Sequence, residues 1–402
     1  LRGLIAADLI GFHTYGYLRH FRSSVLRVLD IDSDMAGLIS PYTTKLGVFP
    51  IGISWNLFSK TMKSEEYKTK LAQLKKNYLN KKLILGVERL DYTKGIPEKL
   101  DAIEKLLKAN PSLRDKIVFT QVLIPSREEV TTNQELLQLI RNRISVINGK
   151  YSTISNTPIN FIYRSLSPSE LTALYTRADV GLVMPLMDGM NLVAKEFVAC
   201  QNDENPGILI LSEFAGSARE LYNAVISNPY DSDNVAKSIE EALNTTKDMA
   251  IKMNSTMKKV VCQKNSIYWA REFLSSLEKI SLQQEAIKSS RQAILKNCQK
   301  KIEQANKTAL FLDYDGTLCP LANDPSSTIP SEKTIKLLSE INSYPNIDVY
   351  VISGRTEEDL NKFFPNTTLT LIAEHGLCYK EKNSSWKPLV DIKSLLWQKS
   401  IQ

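Results

Sequence analysis

Three segments of this 402-residue chain have residue types and spacings that can do chemistry. Asp188-Gly189-Met190-Asn191-Leu192-Val193-Ala194-Lys195-Glu196 sets a carboxylate and a glycine just before an apolar run of helical character. Glycine lets a ligand approach the backbone, and amides at a helix start attract anions. Asp188 can accept from hydroxyl groups, as can Glu196 two turns further on. The second segment, Glu88-Arg89-Leu90-Asp91-Tyr92-Thr93-Lys94-Gly95, carries two cations. Arginine forks onto two phosphate oxygens and lysine supplies a mobile charge, so Arg89 and Lys94 can bracket a diphosphate. The third, Asp313-Tyr314-Asp315-Gly316-Thr317, follows the apolar run Ala309-Leu310-Phe311-Leu312. Aspartates at this spacing share one side of an extended segment. One suits a nucleophile that becomes an aspartyl-phosphate, the other a general acid or base.

Strand ends must hold these residues, and the hydrophobic pattern supplies them. Leu83-Ile84-Leu85-Gly86-Val87 is apolar throughout, as a parallel strand buried on both faces would be. Ile96, Leu100, Ile103 and Leu107 then recur at helical spacing, with Pro97 near the helix start. Ile117 to Val122 predicts the next strand. Ser167-Pro168-Ser169-Glu170 has capping-box spacing and opens a helix running to about Arg177. Strand Val180 to Met184, helix Asn191 to Cys200, strand Ile208 to Leu211 and helix Asn234 to Leu243 complete the alternation. Such a series predicts an α/β fold with a doubly wound parallel sheet, with ligands beyond the carboxyl ends of its strands. A second series opens at Ala309. Its strand Val349-Tyr350-Val351-Ile352 presents Ser353-Gly354-Arg355, where Ser353 can hold phosphate oxygens. Ile372-Ala373-Glu374-His375-Gly376 follows a third strand. The competing reading of Asp313 and Asp315 is an acidic turn or a calcium-loop fragment, and an EF-hand finds no support because neither a further acidic ladder nor a closing glutamate follows.

Composition narrows the class. Hydrophobic residues make up 43% and charged residues 24%, as in ordinary globular proteins. The net charge of +7 comes from scattered lysines, which favours small anionic ligands over nucleic acid. Five cysteines, none in a C-x-x-C pair, predict a reduced, cytoplasmic protein. No apolar stretch is long enough to span a membrane. His13 and His20 carry no metal-ligand spacing, and His20 beside Arg19 reads as surface.

The run from Gly86 to Gly95 and the run from Asp188 to Glu196 closely resemble trehalose-6-phosphate synthase. Gly11-Phe12-His13-Thr14 and Pro50-Ile51-Gly52-Ile53 do so too, so the resemblance covers about residues 1 to 280. It implies two facing Rossmann-like domains of the GT-B type and retaining glucosyl transfer from UDP-glucose to glucose 6-phosphate, without a metal. In that family Arg89 and Lys94 would neutralise the leaving diphosphate. Asp188 and the amides at Gly189, Met190 and Asn191 would hold the donor glucose, and His13 would touch it near the reacting carbon. Leu192, Val193 and Glu196 would line the ribose and phosphate. Arg127 would grip the acceptor phosphate, and Leu166 would offer its backbone to uracil.

The order of the later motifs resembles trehalose-6-phosphate phosphatase of the haloacid dehalogenase superfamily, over about residues 306 to 402. That resemblance implies Mg²⁺, held by the Asp313 side chain and the Asp315 carbonyl, with Ser353 and Arg355 at the substrate. The expected domains are a C-terminal remnant of the first Rossmann-like domain (1–60), a nucleotide-sugar domain (61–270), a helical linker (271–305) and the N-terminal part of a HAD-like domain (306–402). Leu1 opens in what reads as mid-fold, so an internal fragment of a synthase/phosphatase is expected. The expected ligands are UDP-glucose, glucose 6-phosphate and trehalose 6-phosphate, with neither nucleic acid nor membrane as partner and a homo- or hetero-oligomer left open. The rival readings are a sucrose-phosphate synthase type and a catalytically silent sensor of UDP-glucose or trehalose 6-phosphate.

Overall fold

The structure is a computed structural model that describes residues 1–34, 37–38, 44–126, 131–320, 328–365, 367–382 and 384–389. The chain divides into two compact units, Leu1–Gln284 and Glu285–Gln402.

The first unit begins with a parallel pair, β1 (Leu9–Phe12) and β2 (Lys45–Val48), joined through α1 (Tyr15–Leu29). Thr14 caps α1 by accepting from the Tyr17 amide at 3.4 Å. Leu18, Val25 and Leu46 form a small separate core there. Helices α2 (Trp55–Thr61) and α3 (Glu65–Asn77) lead into the main layer. Its elements, in chain order, are β3 (Lys82–Arg89), α4 (Ile96–Ala109), β4 (Ile117–Ile124), α5 (Thr131–Tyr151), β5 (Ile159–Tyr163), α6 (Pro168–Arg177), β6 (Val180–Val183), α7 (Leu192–Cys200), β7 (Ile208–Ser212), β8 (Val225–Ser227), α8 (Ser232–Leu243) and α9 (Lys247–Gln263). The strands lie in the order β5-β4-β3-β6-β7-β8, and every pairing is parallel.

Burial on both faces explains the unbroken apolar runs. Leu83, Leu85 and Val87 point into one core with Phe197 and Val198, whereas Ile84 points into the other with Leu100 and Phe119. Each buried leucine or isoleucine contributes roughly 1.5–3 kcal/mol. The sequence pattern located β3, β4, β6 and β7 but passed over β5 and β8. Those two are the edge strands, and β5 leaves Asn160 exposed, so neither reads as an apolar run. Helix α5 was also passed over, although Ile140, Ile144, Ile147 and Tyr151 bury one of its faces.

The division between units falls within α10 (Ser266–Gln304), a single helix of 39 residues that covers most of the expected linker. The second unit contains β9 (Thr308–Asp313), α11 (Glu332–Ile341), β10 (Ile347–Ile352), α12 (Glu357–Phe363), β11 (Thr370–Ala373), β12 (Cys378–Lys380) and β13 (Lys387–Pro388). Strands β9, β10 and β11 are parallel neighbours, and β12 and β13 extend the sheet antiparallel. Tyr314, Val349, Val351, Leu360 and Phe363 form the centre of its core. Among the described residues, no helix is long and apolar enough to cross a membrane.

The expected capping box forms at the start of α6: the Ser167 hydroxyl accepts from the Glu170 amide at 3.2 Å, and Glu170 accepts from the Ser167 amide at 3.0 Å. Hydrogen bonds from Arg164 to both carboxylate oxygens, with the Ser167 amide, lower the Glu170 pKa to about 2. A depressed carboxylate stabilises the fold above its ordinary pKa and loses that contribution as pH falls through the folded value. Glu170→Gln should therefore lower the thermal midpoint at pH 7, by an amount equivalent to about 0.5–2 kcal/mol. The gap to wild type should close between the ordinary carboxylate range and about pH 2. Equal midpoints at pH 7 would show that the box adds nothing.

Candidate functional site

Strand order reverses between β3 and β6, which places the loop after β3 beside the loop after β6. Such a reversal opens a crevice at the carboxyl ends of the two strands. After β3, Asp91 accepts from both the amide and the hydroxyl of Thr93, at 2.9 and 2.8 Å. Burial opposes ionisation of Asp91, but those bonds and the charges of Lys94 and Arg89 outweigh it and lower its pKa. Gly95 then turns the chain at φ 63°, in the left-handed region. A Cβ there would stand 2.2 Å from the Met184 carbonyl, so the loop lies flat against the end of β6. The Leu186 amide bonds to the Thr93 carbonyl at 2.8 Å, stitching one loop to the other.

The two loops meet at Asp188. Lys94 Nζ donates to Asp188 Oδ2 at 2.6 Å, and both side chains are only 15% exposed. The amides of Met190 and Asn191 donate to Asp188 Oδ1 at 3.4 and 3.1 Å, and Asn191 Nδ2 donates to Oδ2 at 3.1 Å. The amides of Met190 and Asn191, expected at the donor glucose, here serve Asp188, and Lys94, expected at the diphosphate, is paired with it. Asn191 caps α7 by accepting from Ala194, which leaves the first two helical amides, Leu192 and Val193, without hydrogen-bond partners among the described residues. Arg89 is exposed at the end of β3 and makes no ion pair among the described residues. Arg89 and the Leu192 and Val193 amides are thus donors left open, among the described residues, in the two loops that meet at the neutralised Asp188–Lys94 pair.

Glu196 lies one turn below those amides, where Tyr175 Oη donates to its Oε2 at 2.9 Å. Burial raises the Glu196 pKa and the tyrosine hydrogen bond opposes the shift. Next to it in sequence, Lys195 is 2% exposed and reaches Glu220 Oε2 at 2.5 Å and the Ile51 carbonyl at 2.8 Å. The sequence reading gave no role to Tyr175, Lys195 or Glu220. The signal it could have used is a lysine inside the apolar run from Leu192 to Cys200.

His13 stands across the crevice from Gly189, its ring carbon Cδ2 3.8 Å from where a Cβ of residue 189 would lie. Its Nδ1 lies 3.2 Å from the Phe49 carbonyl. A carbonyl only accepts, so Nδ1 carries a proton, and in the neutral ring Nε2 is then the acceptor. Together with Thr14, Arg19, Gly216, Arg219 and Lys264, His13 lines a cleft of about 580 Å³. A larger concavity of about 1080 Å³, bordered by Lys82, Asp179 and Gly207, lies at the amino ends of β3, β6 and β7 and contains none of the expected site residues. Leu166 occupies the loop between β5 and α6, where it borders a hollow of about 260 Å³. Arg127 lies outside the described residues.

In the second unit the register pairs Ile352 with Asp313 and Ile372 with Ile352, so the ends of three parallel strands line up. Asp313 is exposed there and its carboxylate has no partner among the described residues. Ser353 is buried; its hydroxyl accepts from the Arg355 amide at 3.1 Å, leaving its own proton to donate. Arg355, expected at the substrate, has its guanidinium engaged within the protein. It grips Asp315 through Nε at 3.1 Å and Nη2 at 2.6 Å, and also reaches the Thr328 hydroxyl. These hydrogen bonds hold Asp315 below the usual carboxylate range against slight burial. The Asp315 carbonyl takes no hydrogen bond from the described residues. With the Asp313 carboxylate, it gives the pair of hard oxygens that Mg²⁺ prefers. Among the described residues, no cluster of three or more His, Cys, Asp or Glu side chains forms there.

Comparison with known proteins places this geometry. The profile of glycosyltransferase family 20 matches residues 1–279, and that of trehalose-phosphatase matches 311–402. The alpha,alpha-trehalose-phosphate synthase [UDP-forming] A of Dictyostelium discoideum is 35% identical, over 100% of this chain and 55% of its own length. A bifunctional trehalose-6-phosphate synthase/phosphatase of Thermoproteus tenax is 35% identical over 97% of this chain and 54% of its own. The chain therefore spans about half the length of the curated relatives it matches. A solved E. coli structure, trehalose-6-phosphate bound with UDP-2-fluoro glucose, is 37% identical with a TM-score of 0.65, covering 68% of this chain and 61% of that one. A Burkholderia xenovorans alpha,alpha-trehalose-phosphate synthase (UDP-forming) in complex with glucose-6-phosphate is 33% identical with a TM-score of 0.66, covering 69% and 62%.

The closeness of the loops sets a test. A Cβ on Gly216 would stand 2.0 Å from the Gly189 carbonyl and 3.1 Å from Met190 Cα. Gly216→Ala must push the Asp188 loop away from β7, costing about 1–3 kcal/mol of stability as over-packing does. Urea denaturation measures that cost, and an unchanged midpoint would show that the loop yields freely.

Proposed function

Because the chain belongs to glycosyltransferase family 20, we propose that its first unit binds UDP-glucose and that the whole protein transfers glucose, with retention, to glucose 6-phosphate, giving trehalose 6-phosphate. The observation that carries this reading is the Lys94–Asp188 contact of 2.6 Å at the strand-order reversal, with open donors around it. In this reading Arg89 and the amides of Leu192 and Val193 hold the diphosphate. Lys94 shares its charge between Asp188 and the leaving phosphate. Opposing the charge that develops on the leaving group is the main electrostatic contribution to the rate. Asp188 and Gly189 receive the donor glucose, with Met190 and Asn191 holding Asp188 in place, and His13 Nε2 accepts from a hydroxyl of that sugar. Glu196 accepts from the ribose hydroxyls, oriented by Tyr175. Arg127 takes the acceptor phosphate and Leu166 borders the base. This half uses no metal.

The second unit belongs to the phosphatase step in the same reading, releasing phosphate from trehalose 6-phosphate. Asp313 is its nucleophile, Ser353 donates to a phosphate oxygen, and Asp315 exchanges the proton once Arg355 releases it. Mg²⁺ would be held by the Asp313 carboxylate and the Asp315 carbonyl, where it would offset the phosphate charge. The reaction's small-molecule substrates and the free cysteines suit a cytoplasmic setting.

Calorimetric titration with UDP tests the first unit. The wild-type chain should bind, and Arg89→Ala or Lys94→Ala should weaken binding by roughly 1.5–3 kcal/mol each, as losing a charged hydrogen-bond partner does. Glu196→Ala should weaken UDP without altering inorganic diphosphate. A folded wild-type chain that binds no UDP would remove the nucleotide assignment.

A further inference from the structure

Beneath the Arg89–Lys94 loop lies a buried charge pair for which the chemistry above has no use. Lys99, in the first turns of α4, has a side chain that is 0% exposed, and its Nζ lies 2.5 Å from Oε1 of Glu88, which is 4% exposed. Gln121 on β4 donates to the other oxygen, Glu88 Oε2, at 2.6 Å. Gly86 provides the room, since a Cβ there would stand 2.8 Å from Gln121 Oε1 and 3.1 Å from Lys99 Nζ. Glu88 immediately precedes Arg89 at the end of β3, and Lys99 lies five residues beyond Lys94 on the next helix. The pair therefore joins the two ends of the loop that carries both cations.

Stability is a poor reason for such a pair. Desolvating two ions offsets most of their attraction, and two apolar side chains of similar size serve a core equally well or better. Burial pulls the Lys99 ammonium below its ordinary value, and Glu88 only partly counters it. Among the described residues, neither Glu88 Oε1 nor Lys99 Nζ has a hydrogen-bond partner outside the pair. What an apolar pair cannot do is fix a distance, because dispersion contacts tolerate sliding and a short ion pair does not.

We propose that Glu88 and Lys99 are positioning residues, which clamp the end of β3 to the start of α4 and so hold Arg89 and Lys94 at the spacing a nucleoside diphosphate requires. Gln121 orients the clamp. This rests on reading the loop as a diphosphate site, and the test separates the two claims. The double variant Glu88→Leu/Lys99→Met replaces the clamp with apolar groups, whereas Lys99→Met alone strands a carboxylate. The single variant should have a lowered thermal midpoint, and the double variant should recover most of it. In the double variant, UDP affinity should fall about tenfold, as expected when charged groups lose their alignment. Uridine, which lacks the diphosphate, should bind as in wild type, measured by ligand-observed NMR. Should the double variant not fold, Gln121→Leu serves, with a smaller loss for UDP and none for uridine. Unchanged UDP affinity in a folded variant, or equal losses for UDP and uridine, would overturn the proposal. Wild-type protein that binds neither would instead overturn the nucleotide reading.

Discussion

The candidate site of the first unit depends on one constraint, the reversal of strand order between β3 and β6. Parallel strands joined by right-handed crossovers must place successive helices on one face and then, after a reversal, on the other. The two loops flanking the reversal diverge from one another and leave a crevice between them. Lys94 and Asp188 are therefore neighbours although they lie 94 positions apart in sequence. No local preference of either loop would bring them together.

Within that crevice the Asp188 carboxylate organises the backbone. Asn191 has φ 69°, a conformation that costs a non-glycine residue roughly 1–3 kcal/mol. The hydrogen bonds of Asn191 to Asp188 and its cap on Ala194 offset that strain. Gly189 and Gly216 allow two backbones to touch where side chains would hold them apart. The site is thus a turn tightened by its own charged groups, which leaves its open donors few and directed. Lys195 extends the same logic below the surface, where it ties α7 to the Ile51 carbonyl and to Glu220.

The second unit solves a related problem differently. Its three aligned strand ends present Asp313 outward, while Arg355 draws Asp315 aside. The arginine lies near the rings of Tyr314 and Phe363, so its position is set by the core as much as by the carboxylate. One carboxylate of the motif is thus open and exposed, and the other is restrained by an ion pair. The neighbouring residues Glu374 and His375 both take positive φ, and the His375 ring lies against Gly354.

Most of the architecture was legible in the sequence, because fully buried strands must be apolar and amphipathic helices must repeat at 3.6 residues. The central strands, the capping box at Ser167 and Glu170, and the carboxyl-end placement of Arg89, Asp188 and Asp313 all follow from such local rules. The edge strands β5 and β8 escaped because a strand with one neighbour needs no apolar run. Pairing was also out of reach. That Lys94 meets Asp188, that Arg355 meets Asp315 and that Lys99 meets Glu88 are long-range electrostatic choices, decided by which strand ends the sheet brings together. The sequence by itself determined which residues carry charge at strand ends. Only the tertiary structure decided which of those charges neutralise one another and which stay open to a ligand.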